Sequence, residues 1–316
     1  MNRFTSASII ALLVGFVARA ADEAKDPKEQ KFPVVTDAGG KEVVLKKWKM
    51  VGGTRQLGWI AAKPEVFDVR EVGSTTFKDG VTTFVPVSRV QGIKYEYDKE
   101  TCAIQIAGLD KPLTGTTKYK DINVITIEAE VDQGKSGVAD LRYRGGVIKG
   151  GIKEIKFPDA KAPEAPPAKG ELFSFLIVPE AKGKSGVVMT ASNVQALYRF
   201  GDGSEKPLSW LMFKKTLKVE IADIRSMHVG DFNVKEKTAE CEVQLKDGMQ
   251  LSVTLLTSVS IDGKPATLVG LLGDVPAGWK LFPVHTFQEF QPGELKVDED
   301  PKKKEPPKKK GPTKDE

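Results

Sequence analysis

The chain has 316 residues, 40% of them apolar and 29% charged, with two cysteines, two histidines and a formal net charge of +5. The charge sits at the ends: Arg3 and Arg19 stand in the first twenty residues, and residues 301–316 carry seven lysines against Glu305, Asp315 and Glu316. The body between them is close to neutral, which excludes a broadly basic nucleic-acid-binding core, while the length allows two domains with a core each.

Residues 1–20 pair a basic start with an apolar run from Ile9 to Val17 and end Ala18-Arg19-Ala20, the pattern of a signal peptide cleaved before Ala21. The run is short for a bilayer span and no later segment approaches one. The expected product is therefore exported, periplasmic or extracellular, with no transmembrane anchor after cleavage. Residues 21–39 read as a flexible leader. Strand-like runs then follow through a first β domain, 40–158: VVLKKWKMV, QLGWIAA, EVFDVREV, and a hairpin turned on Asp79-Gly80. Residues 159–170 hold three prolines and no large apolar side chain, as a linker does. A second β domain, 171–292, opens with LFSFLIV, turns at Gly201-Asp202-Gly203, and contains a hairpin on Asp247-Gly248. SNVQALYRF is expected as a short helix capped at Ser192. Residues 293–316 form a Lys/Pro-rich tail with too few apolar side chains to offset ordering entropy, and are expected to be disordered.

The two domains share an apolar rhythm. Val219, Ile221, Ile224, Met227 and Val229 have the spacing of Val85, Val87, Val90, Ile93 and Tyr95. Two echoes follow, at Val147, Lys149, Ile152, Ile155, Phe157 and at Trp279, Leu281, Val284, Phe287, Glu289. A period of two broken by spacings of three predicts two strands joined by a bulge or one helical turn. The fold class expected is all-β: two tandem, duplicated small sandwich or barrel domains with a basic tail. VPVSRVQGIKYEYD and VEIADIRSMHV…CEVQLKDGMQLSVTL resemble the modules of uncharacterised exported β-module proteins of planctomycete-type bacteria. Those modules run strand, I-x-x-I, strand, then V-x-L-x-D-G-x-x-L. The resemblance implies an extracytoplasmic β protein and brings no catalytic residues.

Candidate chemistry is sparse. Gly134-Lys135-Ser136 and Gly183-Lys184-Ser185 lack the upstream glycine of a phosphate loop, which Ala129 and Val178 replace, so they read as exposed turns. Cys102 shares a strand face with Ile104 and Ile106, and Cys241 with Val243 and Leu245. That alternation favours two buried thiols in separate cores over the disulfide that export would allow. His228 and His285 with the cysteines have no zinc-site spacing, and no nucleophile elbow is present, so neither metal, cofactor nor catalytic residue is assigned. Glu128 and Glu130 fit a solvated strand face. Trp48, Trp59, Trp210 and Trp279 offer either core packing or a sugar platform. Lys302, Lys303, Lys304, Lys308, Lys309 and Lys310 form a candidate tether to an anionic surface. The function expected is an exported, non-enzymatic binding or scaffolding protein of the cell envelope, whose partner is an envelope protein or polymer. The alternatives are a carbohydrate-active or other hydrolytic β protein with its site between the domains, and anionic-polymer binding through the tail.

Overall fold

Alternating apolar residues bounded by Gly, Asp and Pro produce short strands almost throughout. The computed structural model describes residues 32–72, 80–116, 125–132, 137–144, 151–158, 160–161, 170–177 and 186–295. The signal-peptide segment, most of the leader, both Gly-Lys-Ser motifs, Asp79, most of the linker and the tail from residue 296 lie outside the described residues.

The front half contains β1 (Val34–Asp37), β2 (Glu42–Val44), β3 (Lys46–Gly52), β4 (Thr54–Gln56), β5 (Glu65–Val72) and β6 (Val81–Pro86). It continues with β7 (Val90–Glu96), β8 (Thr101–Ile106), β9 (Leu113–Thr116), β10 (Thr126–Asp132), β11 (Val138–Arg144) and β12 (Ile152–Lys156). The back half contains β13 (Leu172–Ile177), β14 (Val187–Phe200), β15 (Glu205–Leu208), β16 (Trp210–Phe213), β17 (Leu217–Glu220) and β18 (Ile224–Asn233). It ends with β19 (Thr238–Leu245), β20 (Gln250–Leu256), β21 (Ser258–Ile261), β22 (Lys264–Val275), β23 (Gly278–Phe282) and β24 (Phe287–Pro292). The strands pair antiparallel, and no α-helix occurs among the described residues. The described residues belong to one compact unit.

One sheet runs β2-β1-β12-β7-β8-β9, a second runs β11-β10-β3, and the largest runs β17-β16-β20-β19-β18-β24-β13-β14-β22-β23-β6-β5-β4. The run β14-β13-β24-β18-β19-β20 within the large sheet has the strand order of β2-β1-β12-β7-β8-β9. The first strand of each half lies against the last strand of that half, and the last against the strand after the break in rhythm. Pairings repeat in detail: Tyr95 lies opposite Cys102 and Ile93 opposite Ile104, as Val229 lies opposite Cys241 and Met227 opposite Val243.

The broken rhythm takes the expected shape. Val87–Arg89, Ile221–Asp223 and Val284–Thr286 are each one 3₁₀ turn between two strands. A single 3₁₀ turn advances the chain by three residues and returns the next apolar side chain to the same core. Val90, Ile93, Ile224 and Met227 are accordingly buried.

Four expectations are corrected. Strand structure begins at Val34, inside the stretch expected to be a flexible leader, because Val34 and Val35 are buried between β2 and β12. QLGWIAA is a turn beyond Gln56, closed by Lys63 N–H donating to the Ile60 carbonyl (2.8 Å), which tucks Leu57 inward. SNVQALYRF is strand, part of β14. Both faces of this strand are covered, Ala196 and Tyr198 lying in the back-half core and Leu197 in the cluster with Phe84 and Leu272, so Val194, Ala196, Leu197 and Tyr198 are buried together and mimic helical periodicity. A bulge at Ser192–Gln195, with Asn193 at φ 51, produces the break that resembles a cap. Finally, the last echo is out of frame by three residues. Ile93 lies opposite Ile155, whereas Met227 lies opposite Phe290 rather than Phe287, so Phe290 fills the core and Glu289 faces outward.

The back-half core is built on stacked rings: Phe175 lies 3.8 Å from Phe282 and Phe173 lies 4.9 Å from Phe290, centroid to centroid. The front-half core is mainly aliphatic, with Ile93, Ile104, Ile106, Ile127, Ile152 and Ile155 buried. A third cluster, Leu57, Val66, Phe84, Leu197, Leu272 and Leu281, draws on both halves. It lies where Trp279, Lys280 and Leu281 of β23 pair with Phe84, Thr83 and Thr82 of β6.

Candidate functional site at the joint and on the outer sheet face

The residues singled out in the sequence do not converge. The six tail lysines lie outside the described residues. Cys102 and Cys241 are free, buried and in different cores, as alternation along β8 and β19 predicts. His228 is exposed on β18, its Nδ1 3.9 Å from Glu289 Oε1, while His285 sits in the last 3₁₀ turn beside the Phe232 ring. Among the described residues no group of three or more His, Cys, Asp or Glu side chains could hold a metal ion. Glu128 and Glu130 do lie on a solvated face, where Lys49 reaches Glu128 at 3.0 Å, Lys47 reaches Glu130 at 2.9 Å, and Arg142 also pairs with Glu128. Hydrogen bonds from Arg142 and Lys49 hold the Glu128 carboxyl below its usual range.

The tryptophans separate by role. Trp48 packs on Phe157 and Trp210 on Tyr198, with the Lys218 ammonium 4.8 Å over the Trp210 ring. Trp59 and Trp279 meet edge to face at 6.0 Å across the joint between the halves. Around them lies a polar network that no sequence motif marks. Arg55 Nε lies 3.1 and 3.0 Å from the two Asp68 oxygens, its Nη1 is 3.6 Å from Glu205, and its guanidinium stacks 4.5 Å over Phe84. Glu205 also accepts from Arg199 at 2.7 and 3.0 Å and from Trp59 Nε1 at 3.2 Å. Burial pushes the Asp68 carboxyl up; Arg55 opposes that shift and Glu205 reinforces it. Two carboxylates thus converge, but guanidinium groups and an indole N–H hold them. The chemistry this arrangement supports is fastening. These residues could not be found by pattern, because Trp59 and Glu205 are 146 positions apart and no local motif marks either.

The outer face of β20-β19-β18-β24 carries a different feature, an open groove of about 390 Å³. Strand register builds it. His228 stands opposite Glu242 on one side and Glu289 on the other, and Gln244 stands opposite Gln250. Ser226 and Gln291 extend the lining. Even spacing places these polar residues on the face away from Met227, Val243 and Phe290, which fill the core. Ser252 Oγ donates to Glu242 at 2.5 Å and orients it. Carboxylate, carboxamide, imidazole and hydroxyl groups from four adjacent strands offer both donors and acceptors to a polar partner laid across the sheet. A second cavity, of about 720 Å³ and more apolar, lies among Phe200, Met212, Leu256, Val259 and Pro265. Comparison with protein-family models, with curated proteins and with solved structures returns no match for this chain.

Proposed function

We propose that this chain is an exported, non-enzymatic binding or scaffolding protein of the cell envelope, built from two duplicated β lobes that each close as a small sandwich or barrel. The observation that carries the reading is the groove across β20-β19-β18-β24, whose exposed polar side chains suit a hydrogen-bonding polymer or peptide. The signal-peptide pattern in residues 1–20 supports export, and the resemblance to exported β-module proteins agrees with it. Duplication draws its support from the matched strand orders of the two halves. The hydrolytic alternative has Asp68 and Glu205 as its carboxylates, which Arg55, Arg199 and Trp59 occupy. In the tail reading, Lys302, Lys303, Lys304, Lys308, Lys309 and Lys310 bind an anionic surface instead.

Co-sedimentation of the full chain with isolated envelope fragments tests the proposal. Groove binding is expected to survive deletion of residues 301–316 and to weaken by about tenfold in the Gln244→Ala, Gln250→Ala double variant. That drop corresponds to about 1.4 kcal/mol, the scale of one or two lost hydrogen bonds. Absence of co-sedimentation, or binding indifferent to those substitutions, ends the groove reading. Binding that vanishes with the tail and falls steeply with salt supports the tail instead.

A further inference from the structure

Two strand edges left open among the described residues correspond to the two edges that are joined inside the chain. In the front half the hairpin β5-β6 precedes the first 3₁₀ turn, and in the back half the hairpin β16-β17 precedes its counterpart, with Val85 and Val219 in the same place in the rhythm. β6 and β17 therefore correspond. Likewise β11 pairs with β10 and β10 with β3, as β23 pairs with β22 and β22 with β14, the long β14 standing in the place of β2 and β3 together, so β11 corresponds to β23.

Inside the chain, the outer edge of β6 is covered by β23 in an antiparallel ladder. The corresponding edge of β17 has no strand on it among the described residues, because β17 pairs with β16 alone and ends the large sheet. The outer edge of β11 is likewise the end of its sheet. Large apolar side chains are exposed on both: Leu217 of β17 at 36% and Val138 of β11 at 63%. An edge strand with unpaired N–H and C=O groups and exposed apolar side chains is a template for another strand.

We infer that β17 of one copy pairs antiparallel with β11 of the next, repeating between chains the β6–β23 joint that already exists within each chain. The partner is a second copy of this protein. The argument for that occupant is continuity: each copy already contains one instance of the contact and, among the described residues, leaves one half of it unpaired at either end. Different surfaces meet, so the contact is head-to-tail, and unless the rotation closes a ring it adds copies without limit. Such a chain of lobes deepens the scaffold reading and takes its duplicated halves from it, while repeating the groove at regular intervals.

The test is sedimentation velocity of the full chain from about 1 µM to about 300 µM, a range that detects association of the strength expected for one short added ladder. Wild type is expected to form species of two, three and more copies in proportions that rise with concentration. Leu217→Lys and Val138→Lys each place a charge on one edge and are expected to be monomeric alone across the range. Mixed one to one they are expected to form a complex that stops at two chains, since the intact β11 of the first variant meets the intact β17 of the second. Wild type that stays monomeric, either variant that still associates alone, or a mixture of the variants that remains monomeric would each overturn the inference. Circular dichroism of each variant verifies that its fold is kept, and the wild-type series decides by itself if either variant fails to fold. A monomer that still binds envelope fragments sinks the assembly alone; an assembling protein that binds none sinks the binding role alone.

Discussion

Cys102 and Cys241 show how far alternation reaches. Each thiol faces inward beside apolar neighbours on its strand, and burial pushes the two up from an ordinary 9.0 to about 11 and about 12. The folded state therefore keeps both protons at neutral pH, and neither sulfur presents the thiolate that reacts with disulfides or alkylating agents. Native protein treated with a maleimide at pH 7.5 is expected to gain no adduct, and the same protein in denaturant to gain two, as read by intact mass. Because the shift is upward, the thiols contribute stability below the unfolded value and lose it as pH climbs past 9. Their orientation was legible from spacing of two residues alone. Arg55, Asp68, Arg199 and Glu205 were not, because their meeting depends on how two distant segments are brought together.

Strands and turns were easier to read than their partners. The interval of three between Val87 and Val90, and between Ile221 and Ile224, announced a bulge or a single turn between strands, and the chain forms a 3₁₀ turn at both. Asp247-Gly248 likewise closes a hairpin, with Gly248 at φ 93 and the Met249 N–H donating to Asp247 Oδ1 at 2.9 Å. The error over β14 has a physical cause: a strand covered on both sides buries successive residues, and a bulge then shifts which ones. Gly278 carries a burden that sequence did not flag. It opens β23 at φ 151, and a Cβ there would lie 2.2 Å from the Phe84 carbonyl oxygen. Gly278→Ala is expected to force β23 away from β6 and to destabilise the protein by about 1–3 kcal/mol or more, measured by urea denaturation. Gly203→Ala, with open space around its Cβ, serves as a control that carries only the cost of its φ of 83.

At the size of the whole molecule, the joint decides whether the halves act separately. It combines the β6–β23 ladder, the cluster around Leu57, Phe84 and Leu272, the network at Arg55, and a Lys280–Glu71 pair at 2.9 Å whose side chains are only 12% and 14% exposed. Thr83 also donates to Glu71. Breaking such a pair by removing one member leaves a charge buried without its partner, a cost of about 3–5 kcal/mol. Wild type is expected to unfold in a single calorimetric transition, and Glu71→Ala to separate it into two as the halves lose their coupling. A wild-type trace with two well-spaced transitions would show that the joint is weaker than its burial implies.

What could be read from the linear chain was local in origin: strand content, turn sites, and the inward faces of β8 and β19. Each follows from side-chain spacing against a backbone of fixed period, which needs no knowledge of neighbours. Which strands sit side by side was settled by folding. β1 finds β12 across more than a hundred residues, β6 finds β23 across nearly two hundred, and the groove around His228 exists only because β18 lies between β19 and β24. Such pairings are chosen by mutual burial of faces and by backbone hydrogen bonds, which are the same for almost every sequence and so leave no local mark.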